Sequence, residues 1–238
     1  MMQGKVVIIE GEQGLSEAIE YNLTVVGFGV TFSRDGEEGV ELVKRESPNI
    51  VLLDLVLPGL DGIEICRRLK SDAETSAIPV ILVTAKGKED SIAVGLGVGA
   101  DDYIIKPFSP KELVACVKNV LRRVALRDEI ANAESIIRKG LVLNLRRREV
   151  IVDKKPVSFT GSEFRLLQTL ATYPGRVFTR DMLVSRIAKH DEFIIERNID
   201  VHIRSVRKKL GPYRSLIETV RRIGYRFSDK VEWEIPGR

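Results

Sequence analysis

The chain has 238 residues, of which 44% are hydrophobic and 30% are charged, and its formal net charge is +4 at pH 7. This composition is typical of an ordinary soluble protein with one large domain or two modest ones, each with its own core. No apolar stretch approaches the roughly 20 residues that a membrane helix needs, which excludes a membrane-spanning protein.

The cysteine usage and the charge distribution bound the class further. Cys66 and Cys116 lack the spacing of a metal site, and no secretory signal is visible, so we expect a cytoplasmic protein with free structural thiols. Residues 1–123 hold 14 basic and 19 acidic residues, whereas the rest of the chain holds 24 basic and 15 acidic ones. An acidic half followed by a basic half predicts two domains, the second of which meets a polyanion.

The first half alternates between apolar runs that predict buried strands and amphipathic stretches that predict helices. The predicted strands cover residues 5–9, 30–32, 50–55, 80–84 and 102–105. The predicted helices cover about residues 15–26, 36–46, 62–70, 90–97 and 110–124. Five strand–helix units in succession predict an α/β domain with a doubly wound five-stranded parallel sheet.

Four polar side chains fall at the carboxyl ends of these strands: Glu10, Asp54, Thr84 and Lys106. In a doubly wound sheet this edge binds the ligand. An aspartate there suits a metal ligand or a nucleophile, and a neighbouring lysine suits a phosphoryl oxygen. Each residue alone could be a polar cap of its strand. Four at one edge instead predict a site where a phosphoryl group moves onto Asp54, with a divalent cation neutralising its charge.

Three stretches carry a family resemblance: LLDLVLPGLDG around Asp54, LVTAKG around Thr84 and GADDYIIKPFSPKEL around Lys106. With them, residues 1–123 resemble a response-regulator receiver domain. The resemblance implies that a sensor histidine kinase or a small phosphodonor phosphorylates Asp54 with Mg²⁺ bound. It also implies a switch in which the Thr84 hydroxyl moves toward the phosphoryl group and the Tyr103 ring turns inward.

The same resemblance assigns the other residues of the pocket. Lys106, before Pro107 in a cis peptide bond, would contact the phosphoryl group. Mg²⁺ would be held by Glu10, Asp54 and the backbone carbonyl of Val56.

The metal site departs from the family pattern at the end of the first strand. The family usually has two adjacent acids there, and the second is a direct metal ligand. Here Glu10 matches the first, but the second falls on Gly11, and Glu12 normally points elsewhere. Because Mg²⁺ prefers oxygen ligands in octahedral geometry, we expect the missing carboxylate to weaken the site, with water filling the vacancy.

A second departure concerns the face through which activated relatives pair, formed by the fourth helix, the fifth strand and the fifth helix. The resemblance places six residues of this chain there: Ile92, Asp101, Asp102, Glu112, Cys116 and Arg123. Ile92 and Cys116 replace basic residues, and exposed apolar surface predicts a homodimer that forms without phosphate. The alternative is that Ile92 packs within its own domain. We hypothesise that this receiver depends on phosphorylation less than its relatives do.

The second half predicts a small domain of a different kind. Residues 124–138 lack Pro and Gly and are expected to extend the preceding helix into a short linker. Short apolar pieces in residues 139–157 predict an antiparallel sheet. A helix with Ser162 as its N-cap follows, and another begins at Thr179 and leads to a loop at 188–195.

Residues 196–210 predict a third helix with two distinct sides. An apolar stripe for the core consists of Ile199, Ile203, Val206 and Leu210. The opposite side and its flank carry Arg197, Asn198, Val201, His202, Arg204, Ser205 and Lys208. A helix with an apolar back and a basic, hydrogen-bonding front suits the major groove of DNA. For His202 alone, half-buried packing is the alternative.

A hairpin closes the second half. Gly224 is expected to supply its turn, and Tyr225 belongs to its alternating aromatic residues. Arg221 and Arg222 fall near the tip, where they are placed to reach phosphates or a minor groove.

Two of these stretches, NIDVHIRSVRKKL and ETVRRIGYRF, resemble the winged helix-turn-helix effector domain of the OmpR/PhoB subfamily. We place this domain at residues 139–230 and a tail at 231–238. The resemblance implies that the third helix reads the major groove, that the hairpin with Arg221, Arg222 and Tyr225 is the wing, and that the 188–195 loop contacts RNA polymerase.

One position of the third helix departs from the subfamily. Ser205 stands where relatives often have an arginine that contacts a base, and a serine cannot make the bidentate contact of arginine with guanine. Arg204, Asn198 or His202 would then carry more of the specificity.

Together the two halves predict a DNA-binding transcriptional response regulator of a two-component phosphorelay. Its partners would be double-stranded DNA, a sensor histidine kinase, RNA polymerase and a second copy of the chain, and it would not be an enzyme. One alternative is an atypical regulator that binds DNA independently of phosphorylation, controlled by abundance, a ligand or redox at Cys116. Another is a phosphate sink or protein adaptor, against which the basic charge and the third helix argue. A hydrolase is the least supported, because no substrate pocket accompanies the acidic edge.

Overall fold

A computed structural model describes residues 3–58, 61–85, 88–131, 134–138, 140–187 and 196–230, with the backbone alone for 126–131 and 196–198. The chain divides into two compact units, Met1–Val124 and Ala125–Arg238. Within the described residues, no helix is both long enough and apolar enough to cross a bilayer.

The first unit is built on a five-stranded parallel sheet. Its strands are β1 (Lys5–Ile9), β2 (Gly29–Ser33), β3 (Ile50–Asp54), β4 (Val80–Ala85) and β5 (Asp102–Lys106). They lie in the order β2-β1-β3-β4-β5, and every neighbouring pair is parallel. The predicted doubly wound sheet is therefore confirmed, and the strand order reverses between β1 and β3, which is where a ligand is expected.

Five helices connect and flank these strands. They are α1 (Gln13–Val25), α2 (Gly36–Glu46), α3 (Gly62–Ser71), α4 (Glu89–Gly97) and α5 (Pro110–Ala131). Aspartate side chains cap two of them, since Asp35 accepts a hydrogen bond from the Glu38 N–H and Asp61 accepts one from the Ile63 N–H. On one face of the sheet, Ile8, Leu52 and Val83 share a core with Ile19 of α1 and Val117 of α5.

The second unit begins with a four-stranded antiparallel sheet. Its strands are β6 (Ser135–Arg138), β7 (Leu141–Asn144), β8 (Glu149–Val152) and β9 (Lys155–Val157), in that order. The segment 124–138, predicted as a helical extension and linker, thus contains the end of α5 and also the strand β6. That strand pairs with β7 in the register Ile136↔Leu143, and Ile136 joins the core.

Three helices and a smaller sheet make up the rest of the second unit where the structure describes it. The helices are α6 (Gly161–Thr172), α7 (Arg180–Ile187) and α8 (Glu196–Leu210), and the strands are β10 (Phe178–Thr179), β11 (Ile217–Val220) and β12 (Gly224–Phe227). The strands lie in the order β10-β12-β11. A 3-10 turn at Gly211–Leu216, which the sequence did not predict, connects α8 to β11. The predicted stripe of α8 is buried in the core together with Phe164, Leu167 and Phe227.

The structure corrects two local predictions in this unit. The N-cap of α6 is Thr160, not Ser162, because Thr160 and Glu163 form a reciprocal capping box. Gly224 does not supply the turn of the hairpin, since it is already paired with Val220 in the ladder and the left-handed position belongs to Arg222, with φ 63°.

Gly224 is needed for a close approach between strands. A Cβ at this position would lie 2.0 Å from the carbonyl oxygen of Phe178. We expect Gly224→Ala to force β10 away from β12 and to lower the free energy of unfolding of the second unit by about 2–4 kcal/mol. Urea unfolding of the full chain, with hydrogen exchange followed over residues 161–227, measures this.

Gly97→Ala is the matched control. Its Cβ would meet nothing within 4 Å, so alanine at this helix end should be neutral or stabilising. Equal effects of the two substitutions would contradict the close-approach explanation.

Candidate functional site

The carboxyl edge of the parallel sheet brings together four of the predicted side chains. Glu10, Asp54 and Thr84 are buried, and Lys106 reaches them from the end of β5. The Lys106 ammonium donates hydrogen bonds to Glu10 Oε2 at 2.8 Å and to Asp54 Oδ2 at 2.9 Å. The other Asp54 oxygen, Oδ1, accepts the Val56 N–H at 3.0 Å. One cation therefore lies between two carboxylates at the switch in strand order.

Burial and pairing set the charge state of this cluster. Burial raises the pKa of Glu10, although the hydrogen bond from Lys106 opposes it. For Lys106, burial favours the neutral amine, but hydrogen bonds to Glu10 and Asp54 outweigh it and raise the pKa. The lysine therefore remains charged at neutral pH and holds the two carboxylates together.

The edge opens into a cavity of about 600 Å³ that Glu10, Gly11, Asp54, Ala85 and Lys106 help to line. Next to it, Thr84 Oγ1 is buried and has no hydrogen-bond partner among the described residues. A buried hydroxyl in that position is free to donate to a ligand oxygen. The predicted cis bond between Lys106 and Pro107 is present. Tyr103 is half-buried on β5.

Gly11 lines the side of this cavity where the metal is predicted, and it offers no carboxylate. A Cβ at Gly11 would lie 2.9 Å from Cδ of Pro58. Glu12 is exposed, and its N–H donates to Glu10 Oε1 at 3.1 Å. Across the described ranges, no three His, Cys, Asp or Glu side chains are arranged to hold a metal ion. Glu10 and Asp54 therefore offer two carboxylates to a hard cation, and water would have to supply much of the octahedron.

The six residues predicted on the α4–β5–α5 face have different surroundings. Ile92 is 1% exposed and packs inside its own domain, which is the alternative that the sequence left open. Asp101 pairs with Lys70 at 2.8 Å, and Asp102 pairs with Arg123. Glu112, near the start of α5, is exposed and accepts the Ser109 N–H at 2.7 Å.

Two apolar side chains near this face were not singled out from the sequence. Val94 of α4 is 49% exposed and Ile105 of β5 is 39% exposed. Apolar surface is thus available on these elements, but not from Ile92.

Cys116, the sixth residue of the face, has a poorly reactive thiol. Burial, with a smaller contribution from Asp102, raises its pKa to about 12. Since the thiolate is the reactive form, redox control through this cysteine is disfavoured.

In the second unit, α8 presents a basic face to solvent. Val201 is 62% exposed, Arg204 and Lys208 are exposed, and His202 is half-buried. The side chains of Arg197 and Asn198 lie outside the described residues, as do the 188–195 loop and the 231–238 tail. The Val201 side chain can contact a thymine methyl group, and the Arg204 and Lys208 side chains can contact phosphates or base edges.

Two other residues predicted to contact DNA form hydrogen bonds to carboxylates of their own unit instead. The Ser205 hydroxyl donates to Glu163 Oε1 at 2.5 Å. Tyr225 is 5% exposed, and its hydroxyl donates to Asp200 Oδ1 at 2.8 Å. In the sequence, Ser205 falls on the front of α8 and Tyr225 in the hairpin, and neither position distinguishes a DNA contact from a hydrogen bond within the unit.

The hairpin between β11 and β12 carries the remaining predicted residues. Arg221 and Arg222 are both exposed in its turn. Arg207 Nη2, from α8, donates to the Ile217 carbonyl at 2.8 Å and to Thr219 Oγ1 at 2.8 Å, which attaches the hairpin to the helix.

Comparisons with known proteins agree with both units. Residues 6–118 match the family described as "Response regulator receiver domain", and residues 154–227 match "Transcriptional regulatory protein, C terminal". The chain is an OmpR/PhoB-type response regulator. Like its family, it is a two-component regulator that binds DNA as a transcription factor, and it is not an enzyme.

Relatives of this response regulator align along nearly its whole length. The phosphate regulon transcriptional regulatory protein PhoB of Pseudomonas aeruginosa is 43% identical over 231 residues, covering 96% of this chain and 100% of the relative. PhoB of Escherichia coli is 37% identical over 231 residues, with the same two coverages. The crystal structure of response regulator DrrB, a Thermotoga maritima OmpR/PhoB homolog, is 28% identical, covers 96% of this chain and 100% of that one, and gives a TM-score of 0.46.

Glu163 of the response regulator is a carboxylate whose protonation should affect the stability of the second unit. Burial opposes the charged form of Glu163, but hydrogen bonds from Lys209, Ser205 and the Thr160 N–H outweigh it and lower the pKa from 4.5 to about 2. A depressed pKa stabilises the folded state above the ordinary pKa, and this stabilisation is lost as the pH falls toward 2. We expect the free energy of unfolding to decrease between about pH 5 and pH 2, and Glu163→Gln to make this dependence shallower.

Urea unfolding at several pH values, with hydrogen exchange of residues 161–172 to identify the second unit, measures the effect. Glu149→Gln, at an exposed position of β8, is the control and should leave the dependence unchanged. An identical pH dependence in the Glu163→Gln variant would contradict the assignment.

Proposed function

We propose that this response regulator binds its operator as a homodimer with little dependence on phosphorylation. In this proposal the receiver spans residues 1–123, a linker 124–138 and the effector domain 139–230, with a tail at 231–238. The observation that carries the proposal is Gly11, which stands at the metal side of the Asp54 pocket.

Asp54 is proposed as the phosphoacceptor. One of its carboxylate oxygens would attack the phosphorus of a phosphohistidine or of a small phosphodonor, and the bond from phosphorus to the donor would break as the acyl phosphate forms. Lys106 would then exchange its bond to Asp54 Oδ2 for a phosphoryl oxygen, as a point charge. The Thr84 hydroxyl, which has no hydrogen-bond partner in the described parts of the chain, would donate to another phosphoryl oxygen, and Tyr103 would follow it in the switch.

Mg²⁺ is the proposed cofactor, held weakly. Glu10, Asp54 and the backbone carbonyl of Val56 would bind it, and it would supply charge neutralisation at the phosphoryl oxygens. Because this cluster lacks a third carboxylate, Lys106 remains the dominant positive charge facing Asp54 until Mg²⁺ is abundant.

The docking surface for the partner kinase is proposed on the receiver, beside the Asp54 pocket. A groove of about 550 Å³ lies between α1 and the β5–α5 connection, lined by Leu15, Ala18, Pro107, Phe108 and Lys106 among others. An apolar groove with Lys106 at its edge would let the phosphohistidine of a sensor histidine kinase approach Asp54.

The homodimer is proposed on the α4–β5–α5 face. Val94 and Ile105 would provide its apolar contacts, and the pair Asp102–Arg123 together with Glu112 would line its polar edge. Internal ion pairs already hold Asp101 and Asp102, so apolar contacts, and not ion pairs between the copies, would stabilise this dimer.

DNA recognition is proposed for the front of α8 and for the wing. Val201, Arg204 and Lys208 would enter the major groove, and Arg221 and Arg222 would contact phosphates or the minor groove. The neighbours Arg197, Asn198 and His202 belong to the same proposal, whereas Ser205 and Tyr225 are left out because their hydroxyl groups are bonded within the unit. Contacts of the 188–195 loop with RNA polymerase and a cytoplasmic location, where DNA and polymerase are found, belong to the same proposal.

A gel shift separates this proposal from its alternatives. The probe is a duplex selected by the full chain from a random-sequence library, and the proteins are the unphosphorylated wild type, the acetyl phosphate-treated wild type and Asp54→Asn. We expect all three to bind with similar affinity. Binding by the treated wild type alone would support ordinary phosphorylation control. A selection that enriches no duplex would support a phosphate sink or adaptor.

A further inference from the structure

The carboxylate of Glu163 joins α6 to α8 in the second unit. Its Oε2 accepts the Thr160 N–H at 2.7 Å and the Lys209 ammonium at 2.5 Å, and its Oε1 accepts the Ser205 hydroxyl at 2.5 Å. Glu163 is buried. The Lys209 ammonium also lies 5.2 Å from the centre of the Phe159 ring. A charge-assisted cluster of this kind is stronger and more directional than neutral hydrogen bonds.

Ser205 and Lys209 are one turn apart, so both bonds attach the same flank of α8. The opposite flank is attached through Asp200 and Arg207. Asp200 Oδ1 accepts Arg180 Nε at 2.9 Å and the Tyr225 hydroxyl at 2.8 Å. Hydrogen bonds from both flanks therefore fix the rotation of the helix about its own axis.

The exposed face lies between these two flanks. With about 100° of rotation per residue, Val201, Arg204 and Lys208 fall on the side opposite the buried stripe. If one flank were released, the helix could turn and move all three side chains together. The register between α8 and the groove then depends on a residue that need not contact a base.

We propose that Ser205 is a positioning residue, and that the hydrogen bond from its hydroxyl to Glu163 sets the rotation of α8 for operator recognition. This inference rests on the proposed docking of α8 in the major groove. It assigns to Ser205 a role different from base contact, because its only hydroxyl proton is donated to a carboxylate at 2.5 Å. A base acceptor would have to compete with that charge-assisted bond.

Substitutions at Ser205 test the role. Ser205→Ala removes the hydroxyl, whereas Ser205→Thr keeps it. Ser215→Ala, at an exposed position outside α8, is the control. Each full-length variant is titrated at fixed salt against the selected duplex, against an unrelated duplex and against a panel of single base-pair changes.

We expect Ser205→Ala to weaken binding to the selected duplex by about five- to tenfold, with the loss spread over several base pairs. The affinity for the unrelated duplex should stay unchanged, and so should the slope of log affinity against log salt concentration. Phosphate contacts dominate both quantities. Ser205→Thr should bind like the wild type. A thermal melting curve of each variant shows that it is folded at the assay temperature.

A double-mutant cycle with Glu163→Ala isolates the bond. We expect Ser205→Ala to have little further effect when Glu163 is absent, because both changes remove the same interaction. If Glu163→Ala does not fold, the comparison of Ser205→Ala with Ser205→Thr still tests whether the hydroxyl at this position is needed for operator recognition. Loss of discrimination at a single base pair would show direct readout and overturn the proposal, and so would an unchanged affinity of Ser205→Ala.

Arg204→Ala in the same assay tests the docking of α8 in the major groove separately from the positioning role of Ser205. An unchanged affinity for Arg204→Ala would mean that α8 does not dock as proposed. A loss with Arg204→Ala but none with Ser205→Ala would overturn the positioning role alone.

Discussion

Gly11→Asp should lower by about tenfold or more the Mg²⁺ concentration at which acetyl phosphate half-maximally labels Asp54, because it restores a hard oxygen ligand to the cation. The Asp54 pocket now provides Glu10 and Asp54, and Lys106 already binds both. A third carboxylate lets the cation compete with the lysine for these oxygens. Intact-protein mass spectrometry over a Mg²⁺ series measures the labelled fraction.

Gly11→Ala is the matched control for this change. It adds the same Cβ, which must displace the Pro58 ring from its 2.9 Å approach, but adds no carboxylate. We expect Asp54 of the Gly11→Ala variant to be phosphorylated no more readily than Asp54 of the wild type. The same Mg²⁺ dependence for the aspartate variant and the wild type would show that Gly11 does not limit the site.

Arg204→Ala should weaken binding to the selected duplex by about 1–3 kcal/mol, which is roughly 5- to 150-fold, and should relax discrimination at the base pairs that Arg204 contacts. Arg204 is exposed on the front of α8, so the substitution removes a contact to DNA without opening a cavity.

Arg221→Ala should weaken binding to all sequences more uniformly, because the wing is proposed to contact phosphates. It should also reduce the slope of log affinity against log salt concentration by about one. Arg45→Ala, exposed on α2 of the receiver, removes the same charge away from DNA and is the control. Unchanged affinity for both Arg204→Ala and Arg221→Ala at fixed salt would show that the docking is wrong.

Much of this fold follows from local signals in the sequence. Apolar runs bounded by Gly, Pro and Asp predicted the five parallel strands, and the stripe of α8 predicted its buried side. At Thr160 and Ser162 the local signal was ambiguous, since both residues favour N-caps. The reciprocal bond with Glu163 decides in favour of Thr160.

Other features depend on contacts between distant residues, which no local pattern records. From Ile92 onward, α4 holds only apolar residues and glycine, so the sequence could not show that Ile92 is buried while Val94 is exposed. The need for Gly224 comes from the Phe178 carbonyl, which is far away in the chain. Ser205 was placed on the front of α8 by its spacing, and its bond to Glu163 becomes visible only when α6 packs beside it.

The redox alternative is the one most affected by the structure. The raised pKa of Cys116 makes its thiolate scarce at neutral pH. Abundance or a ligand then remain as the ways to control an atypical regulator.

We propose that this response regulator depends little on phosphorylation because its metal site lacks one carboxylate. The direct test is to incubate the full chain with acetyl phosphate and Mg²⁺, weigh the intact protein, and measure its oligomeric mass by light scattering in the same sample. We predict partial phosphorylation and a dimer fraction that does not change. Stoichiometric phosphorylation of Asp54 with a large gain in dimer would contradict the claim.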